Sequence, residues 1–557
     1  MQSILFNYFF KKYIMQGLMM HYPLTVTSII DHGNRVFPKK EIISIFPDKT
    51  KHVYTYADLY KRSKKIADAL LRKFQVKPGD MISTYAWNHH QHLELYFGIP
   101  GAGAVCHTIN IRLSSSQTEF IVNNAEDRII FIDAILTPAF ENIAALLPTV
   151  EAYIIMNAPK GFKTSLPNAI DYEDFIADAA DNIDWVTVDE NDACAMCYTS
   201  GTTGLPKGVL YSHRSTWLHA VIMSLPNYGN TSTEDRILVG VPQFHVMAWG
   251  IPYGAVLCGA VLIFPSCHLH PEPFIDIIIN EKANKANGVP TIWQGIYTVL
   301  KKNGVSDSFP LKEFLVGGAS MPPTLIGNFQ KDFGIKAIHA WGMTETSPVG
   351  TLSRLQPQHA SLSDSEKIKI RALQGQEVPC VEIRIVTENG IIAPRDGKTV
   401  GEIQVKGVWV ISSYFKTISH ENFSEDGWFK TGDVGTINEE GYLKITDRTK
   451  DLIKSGGEWI SSVALEVAIM AYPKVKEASV IAIPDELWTE RPLAVIVLRD
   501  ENDSLSMDEL HSFLLPSFAK YQLPEKISFI KEIPKTSVGK FDKKEMRRLY
   551  AEGKLGV

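Results

Sequence analysis

Along most of the chain, short apolar runs of strand character alternate with longer segments whose apolar residues recur at helical spacing. Residues 81–85, 128–132 and 152–156 read as strands between helices, and residues 55–74 read as a helix with a mixed face. This alternation predicts an α/β architecture with largely parallel sheets. Residues 237–264 carry no formal charge, but Gly240, Pro242, Gly250, Pro252, Gly254 and Gly259 punctuate them. They are therefore expected to form buried strand, turn, helix and strand rather than a membrane span.

From about Val378 the texture shifts to short strands and turns, VEIRIV, ENG, GEIQVKG and EEGYLKITD, with Asn389-Gly390 and Glu440-Gly441 as turn sites. This stretch predicts a small antiparallel β subdomain. After Asp447 the pattern resets to a helix (VALEVAIMAY), two strands (ASVIAIP, LAVIVLR), a helix (MDELHSFLLPSF) and a Lys-rich tail. The expected organisation is a large multi-layer αβ domain over 1–446, with two sheets, helices and the β subdomain. A small mobile α+β domain over 447–557 would follow. The boundary falls at residues 447–450, and a small domain on a short linker can swing against a large one.

The 557 residues are 45% apolar, 21% charged and 10% aromatic, ordinary globular usage that excludes extended disorder. Lys and Arg number 56 against 62 Asp and Glu, a net charge of −6, so no general attraction to nucleic acid is expected and any anionic ligand must be met locally. Six cysteines are too few for a disulfide scaffold and point to a reducing compartment, with the cytoplasm as default. The N-terminal MQSILFNYFFKKYIMQGLMMHYPL is apolar, but Lys11 and Lys12 split it and no basic region precedes it. It reads as a surface-packed or mis-started extension, with Met15, Met19 and Met20 as alternative starts, and implies at most peripheral membrane contact.

The densest chemical signal is Tyr198-Thr-Ser-Gly-Thr-Thr-Gly-Leu-Pro-Lys-Gly-Val209, directly after an apolar run. Backbone N–H groups and the hydroxyls of Thr199, Ser200, Thr202 and Thr203, with Gly201 and Gly204, can surround phosphates while Lys207 supplies counter-charge. Pro206 stands where a Walker A loop needs glycine, which disfavours a kinase or P-loop ATPase. Cys194 and Cys197 have a redox or zinc spacing but no second pair, so core packing is expected; Cys267, His268 and His270 read as loop residues.

The loop at 198–209 resembles the phosphate-binding signature of the adenylate-forming superfamily, which includes acyl-CoA synthetases, luciferases and peptide-synthetase adenylation domains. Further motifs follow in the family's order. His339-Ala-Trp-Gly-Met-Thr-Glu345 resembles its second nucleotide motif, with Trp341 offering a flat face to adenine, Thr344 for the α-phosphate and Glu345 as an oxygen ligand for Mg2+, near which Thr199 also lies. The family more often has Gly and Tyr where this chain has Ala340 and Trp341. Gly317-Gly318-Ala319-Ser320 matches the loop on the other side of adenine, and Asp433 of Thr431-Gly-Asp433 the carboxylate that accepts from both ribose hydroxyls. Arg448 matches a ribose contact, Lys450 the hinge, Gly456 and Gly457 the turn forming the pantetheine channel, and Lys454 and Trp459 positions near the nucleotide. Pro534-Lys-Thr-Ser-Val-Gly-Lys540 resembles the loop bearing the adenylation lysine.

The resemblance implies two half-reactions on one site. A carboxylate attacks the α-phosphorus of MgATP to form an acyl adenylate and pyrophosphate, with Lys540, Thr199, Thr344 and Glu345 serving this step. The small domain then rotates about Lys450, and a thiol takes the acyl group. The absence of an appended carrier module favours coenzyme A as the thiol, with a separate carrier protein as the other candidate. Gln243-Phe-His-Val-Met-Ala-Trp249 resembles the acyl motif of medium- and long-chain fatty acyl-CoA synthetases, in which His245 borders the carboxylate and Val246, Trp249 and Gly318 lie along the acyl tunnel. A fatty acid is thus the expected substrate; a thioether acid of the 3-methylthiopropanoate type is the runner-up, and a non-catalytic nucleotide binder or a luciferase-type oxidase stands further off. Long-chain relatives are often homodimers, which leaves a homodimer open.

Overall fold

The computed structural model describes residues 17–199, 205–305, 309–417, 421–455, 458–500, 502–536 and 540–557. Residues 1–16, which hold most of the apolar N-terminal extension, lie outside them, as do Ser200, Gly201, Thr202, Thr203, Gly204, Gly456 and Gly457.

A helix forms over Tyr56–Phe74 because Thr55 and Asp58 close a capping box at its start, each side chain bonding the other's backbone N–H. Its face of Leu59, Ile66 and Leu70 is fully buried. The strands Met81–Tyr85 and Ala152–Met156 form as the alternation predicts, and the third forms one residue later, at Ile129–Asp133. They belong to a seven-stranded sheet that also holds Ala193–Thr199, where Cys194 and Cys197 are buried in the core. All its pairs are parallel except the last, between Ala193–Thr199 and Lys207–Ser212.

A nine-stranded sheet contains the uncharged stretch, which folds into Arg236–Leu238, a turn, the helix Ile251–Cys258 and the strand Val261–Phe264. Among the described residues no helix is long and apolar enough to cross a membrane. Between the sheets runs the helix His90–Gly101, with every residue buried. Its polar groups are matched: Glu94 accepts from Arg62 Nε at 2.8 Å and from the Tyr172 hydroxyl at 2.5 Å, and His92 Nε2 meets Thr84 Oγ1 at 2.8 Å.

Residues after 380 build a four-stranded antiparallel sheet, Val381–Val386, Gly401–Gly407, Phe429–Ile437 and Leu443–Arg448. Gly390 and Gly441 take positive φ at the two predicted turns. The chain then forms a five-stranded sheet whose core packs Leu465, Ile469, Val480, Ile496 and Leu510.

A buried ionic chain fixes the last helix, Lys543–Ala551, against the start of this final unit. Lys543 Nζ reaches Glu466 Oε1 at 2.8 Å and Ser462 Oγ at 2.5 Å, and the Ser462 amide donates to Asp447 Oδ2 at 2.6 Å. Arg547 adds a 2.6 Å bond to Asp451. Lys540 precedes that helix by three residues, so these contacts also set where Lys540 stands. Lys543→Ala would leave Glu466 buried without its cation and is expected to cost about 3–5 kcal/mol. Native-state hydrogen exchange of the strands Val475–Asp485 and Thr489–Leu498 checks this; a loss under about 1 kcal/mol would mean that the cluster is solvated.

Candidate active site

The site-bearing motifs gather where strands of both large sheets end. Thr199 closes the strand Ala193–Thr199, the loop 317–320 follows Glu313–Val316, and Trp341 to Glu345 run out of Lys336–Gly342. Carboxyl ends of parallel strands are where open α/β sheets bind ligands.

Two glycines shape the loop. A Cβ on Gly317 would sit 3.2 Å from the Ala340 carbonyl and 3.4 Å from the Trp249 ring, while Gly318 has φ +83°. His339 lies beneath this loop, its Nδ1 3.0 Å from the Ala372 carbonyl and its Nε2 3.4 Å from that of Ala319. Its buried ring braces the backbone beside Ala319 and Ser320.

The acidic side of the site is built by three strands and a turn. Asp433 and Arg448 face each other across two antiparallel strands, with Arg448 Nε 3.2 Å from Oδ1. Trp341 Nε1 donates to Asp433 Oδ2 at 2.9 Å. Thr344 and Glu345 occupy a short 3-10 turn, where the Tyr211 hydroxyl donates to the Thr344 carbonyl at 2.8 Å. Glu345 Oε1 accepts from the Tyr414 hydroxyl at 2.7 Å, and Lys207 Nζ lies 4.7 Å over the Tyr414 ring. Burial pushes the Glu345 carboxyl up from its ordinary value, opposed by the Tyr414 hydrogen bond and by Arg448. Tyr414 is a site residue that sequence reasoning missed: it lies 69 positions from Glu345 in a run, SSYF, that carries no motif of its own.

Lys540 enters from the C-terminal unit. Its Cε lies 3.7 Å from where a Gly318 Cβ would stand, and its backbone N–H donates to Thr536 Oγ1 at 3.2 Å. Burial, then the Arg448 charge, pull its pKa down to about 8, against the opposing pull of Asp433 and Glu345. His245 falls to about 3, chiefly through burial and then through the Lys540 and Arg112 charges, so its imidazole is neutral at physiological pH. Lys540, His245, Gly318, Glu345, Asp433 and Arg448 thus share one electrostatic neighbourhood.

Beyond His245 the backbone does something its sequence does not announce. Val246, Met247, Ala248 and Trp249 all have φ between +48° and +58°, and Gly250 follows at +67°. A left-handed turn of L residues costs roughly 1–2 kcal/mol per residue, so the surroundings must impose it. The Gly250 amide donates to the Met247 carbonyl at 3.0 Å, and the buried His219 ring fills the space where a Gly250 Cβ would be. The turn lays the Trp249 ring on Gly317 and leaves His245 and Thr199 lining one small cavity with Thr108, Tyr198 and Phe244.

Some predicted residues stand apart. Lys454 and Trp459 pair across the hairpin of Ile453–Ser455 and Glu458–Ile460, with the ammonium 5.0 Å over the exposed ring, and the Lys454 amide donates to Glu490. Lys450 sits in the exposed turn after Leu443–Arg448, where its carbonyl accepts from Arg547. His268 Nε2 donates to the Phe46 carbonyl at 2.8 Å, as a loop residue would. Among the described residues no three His, Cys, Asp or Glu side chains converge into a metal cage. Glu345 offers hard carboxylate oxygens with only Oε1 held by Tyr414, which suits Mg2+, a cation that takes one or two carboxylates and completes its shell with water and phosphate oxygens.

Comparison with known proteins places the chain in a family. Residues 30–415 match the family described as AMP-binding enzyme, and residues 464–540 match the AMP-binding enzyme C-terminal domain. A medium-chain-fatty-acid–CoA ligase of Ectopseudomonas oleovorans is 41% identical over 97% of this chain and 98% of its own length. A 3-methylmercaptopropionyl-CoA ligase of Ruegeria lacuscaerulensis is 40% identical over 97% of this chain and 100% of its own. The fold matches the crystal structure of the anthranilate CoA ligase AuaEII in complex with anthranoyl-AMP, with a TM-score of 0.85 at 22% identity, covering 97% of this chain and 100% of that one. By these matches, along nearly its whole length, the chain belongs to the AMP-binding enzymes of the adenylate-forming superfamily.

Proposed function

We propose that the protein is an ATP-dependent acyl-CoA synthetase that activates a medium- or long-chain fatty acid as its acyl adenylate and transfers it to coenzyme A. The observation that carries this reading is the placement of Lys540, half-buried with its Cε 3.7 Å from where a Gly318 Cβ would stand, in the charge neighbourhood of His245, Arg448 and the carboxylates of Glu345 and Asp433. The acid's carboxylate attacks the α-phosphorus, the bond to pyrophosphate breaks, and Lys540 meets the negative charge that gathers between carboxylate and phosphate. His245, being neutral, borders the carboxylate as a hydrogen-bonding group without competing as a cation. Asp433 and Arg448 take the ribose, Trp341 and the 317–320 loop the adenine, Thr344 the α-phosphate, and Lys207 with residues 199–204 the outgoing phosphates. Glu345, with Thr199, would hold Mg2+, which when bound neutralises triphosphate charge. For thioester formation the 447–557 unit turns about Lys450, withdrawing Lys540 and bringing Gly456, Gly457, Lys454 and Trp459 toward the site. The exposed Lys454–Trp459 hairpin is consistent with an adenylation-ready orientation. In the cytosol the free thiols of Cys106, Cys194 and Cys197 stay buried and reduced.

An uncharged 237–264 segment beside His245 favours an alkyl chain. The thioether-acid ligase, matched almost as closely, supports a short acid instead. Pyrophosphate release measured across C3 to C18 acids and 3-methylthiopropanoate, with and without CoA, is expected to peak at a medium or long chain. No pyrophosphate release with any of these acids would overturn the enzyme reading; a peak at the thioether acid would correct the substrate. Lys540→Ala is expected to slow adenylation by about 10²–10³ while still converting supplied acyl-AMP to thioester; equal loss of both steps would contradict the rotation.

The pH dependence has a defined sign. Lys540 is charged below its depressed value of about 8 and loses its proton above it. The kcat/KM for ATP, which reports the free enzyme, is expected to fall as pH rises through about 8. Lys540→Arg keeps its charge and should abolish that limb; a limb unmoved by the substitution would assign the titration elsewhere.

A further inference from the structure

In the proposed reading Asp433 is the group that meets the sugar, and its carboxylate is held from two sides. Trp341 Nε1 donates to Oδ2 at 2.9 Å, Arg448 Nε stands 3.2 Å from Oδ1, and the Asp433 amide donates to Thr431 Oγ1 at 3.1 Å. An ionised carboxylate has about four lone-pair sites, so each oxygen keeps an acceptor position after these contacts. Two free acceptor positions side by side match two donors side by side, the cis hydroxyls of a ribose. The terminal torsion of Asp is broad and two-fold, so a single cation at Oδ1 does not fix the carboxylate plane. A second donor at Oδ2 does.

Two backbone features deliver the indole to that oxygen. The pairing of Lys336–Gly342 with Val349–Ser353 slips register between Trp341 and Gly342, and such a bulge re-aims the side chain at its edge. On the neighbouring strand, a Cβ at Gly350 would fall 2.7 Å from a Trp341 ring carbon, so glycine alone lets the ring lie down there. The resulting bond spans 92 positions and ties the nine-stranded sheet to the four-stranded one. The buried ring has its N–H committed to the carboxylate, so the donor is spent on Asp433.

We propose that Trp341 is the positioning residue for the sugar-reading carboxylate, so that discrimination between ribonucleotide and deoxyribonucleotide depends on its indole N–H. The inference rests on Asp433 binding the ribose hydroxyls. Isothermal titration calorimetry of the full chain with MgATP and with Mg-2′-deoxy-ATP tests it, on the wild type, Trp341→Phe and Gly350→Ala. Phenylalanine keeps an aromatic face and removes the donor, while Gly350→Ala displaces the indole without removing it and serves if the first variant does not fold. The wild type is expected to prefer ATP by about tenfold or more, since a site built to bond a hydroxyl rejects the analogue lacking it. In both variants that ratio should shrink to about threefold or less, with ATP affinity falling more than that of the deoxy analogue. A ratio unchanged in the variants, with both affinities falling together, would make Trp341 a stacking or structural residue and overturn the proposal. A wild type that does not discriminate would overturn it at an earlier point, by removing the ribose role of Asp433 itself.

Discussion

An ammonium group taken out of water must be met by negative charge or give up its proton. Lys540 is in that position: half-buried, with Arg448 nearby as a like charge and Asp433 and Glu345 opposing the loss of hydration only in part. Loss of water outweighs the pull of the two carboxylates, and in the proposed reading an anionic substrate brought beside Lys540 offsets it. In the proposed reading, because Lys540 is carried on the residues after 447, that contact couples ligand binding to where they rest. The chain Lys543, Glu466, Ser462 and Asp447 makes the coupling mechanical, since it fixes the helix after Lys540 to the residues at which the chain leaves the four-stranded sheet.

Around this lysine, neighbouring polar groups are sorted by environment rather than by residue type. His245 is held neutral and Glu345 is held by a tyrosine hydroxyl, while Asp433 receives a donor at each oxygen. Two rings do much of this work, Trp341 and Tyr414, each presenting an edge or hydroxyl to a carboxylate. A cation comes to the Tyr414 ring in the form of Lys207, which links the start of the strand Lys207–Ser212 to the acidic side without a direct ion pair.

What could be read in the sequence was what neighbours in sequence encode. The strands at 81–85 and 152–156, the capped helix at Tyr56, the folding of the uncharged stretch and the turns at Gly390 and Gly441 all have local causes: alternation, a capping box, glycine punctuation. The ordered motifs were legible for the same reason, each being a short string. Illegible were the contacts that cross sheets. Nothing in SSYF points to Glu345, and nothing in HAWG says that the indole will turn its N–H toward a carboxylate 92 positions away. The helix His90–Gly101 escaped the periodic reading because it has no solvent face, and its histidines and glutamate are satisfied by partners on other elements.

The turn from Val246 to Trp249 has a consequence for anyone moving this segment between proteins. Four consecutive L residues, without a glycine among them, hold a handedness their own chemistry disfavours. The shape is stored in the strand, helix and loop that enclose it, in Thr108, His219 and Gly317, and not in the letters VMAW. Grafted alone into another scaffold, those letters would relax to right-handed backbone and carry the tryptophan elsewhere; the portable unit is the turn together with its enclosure.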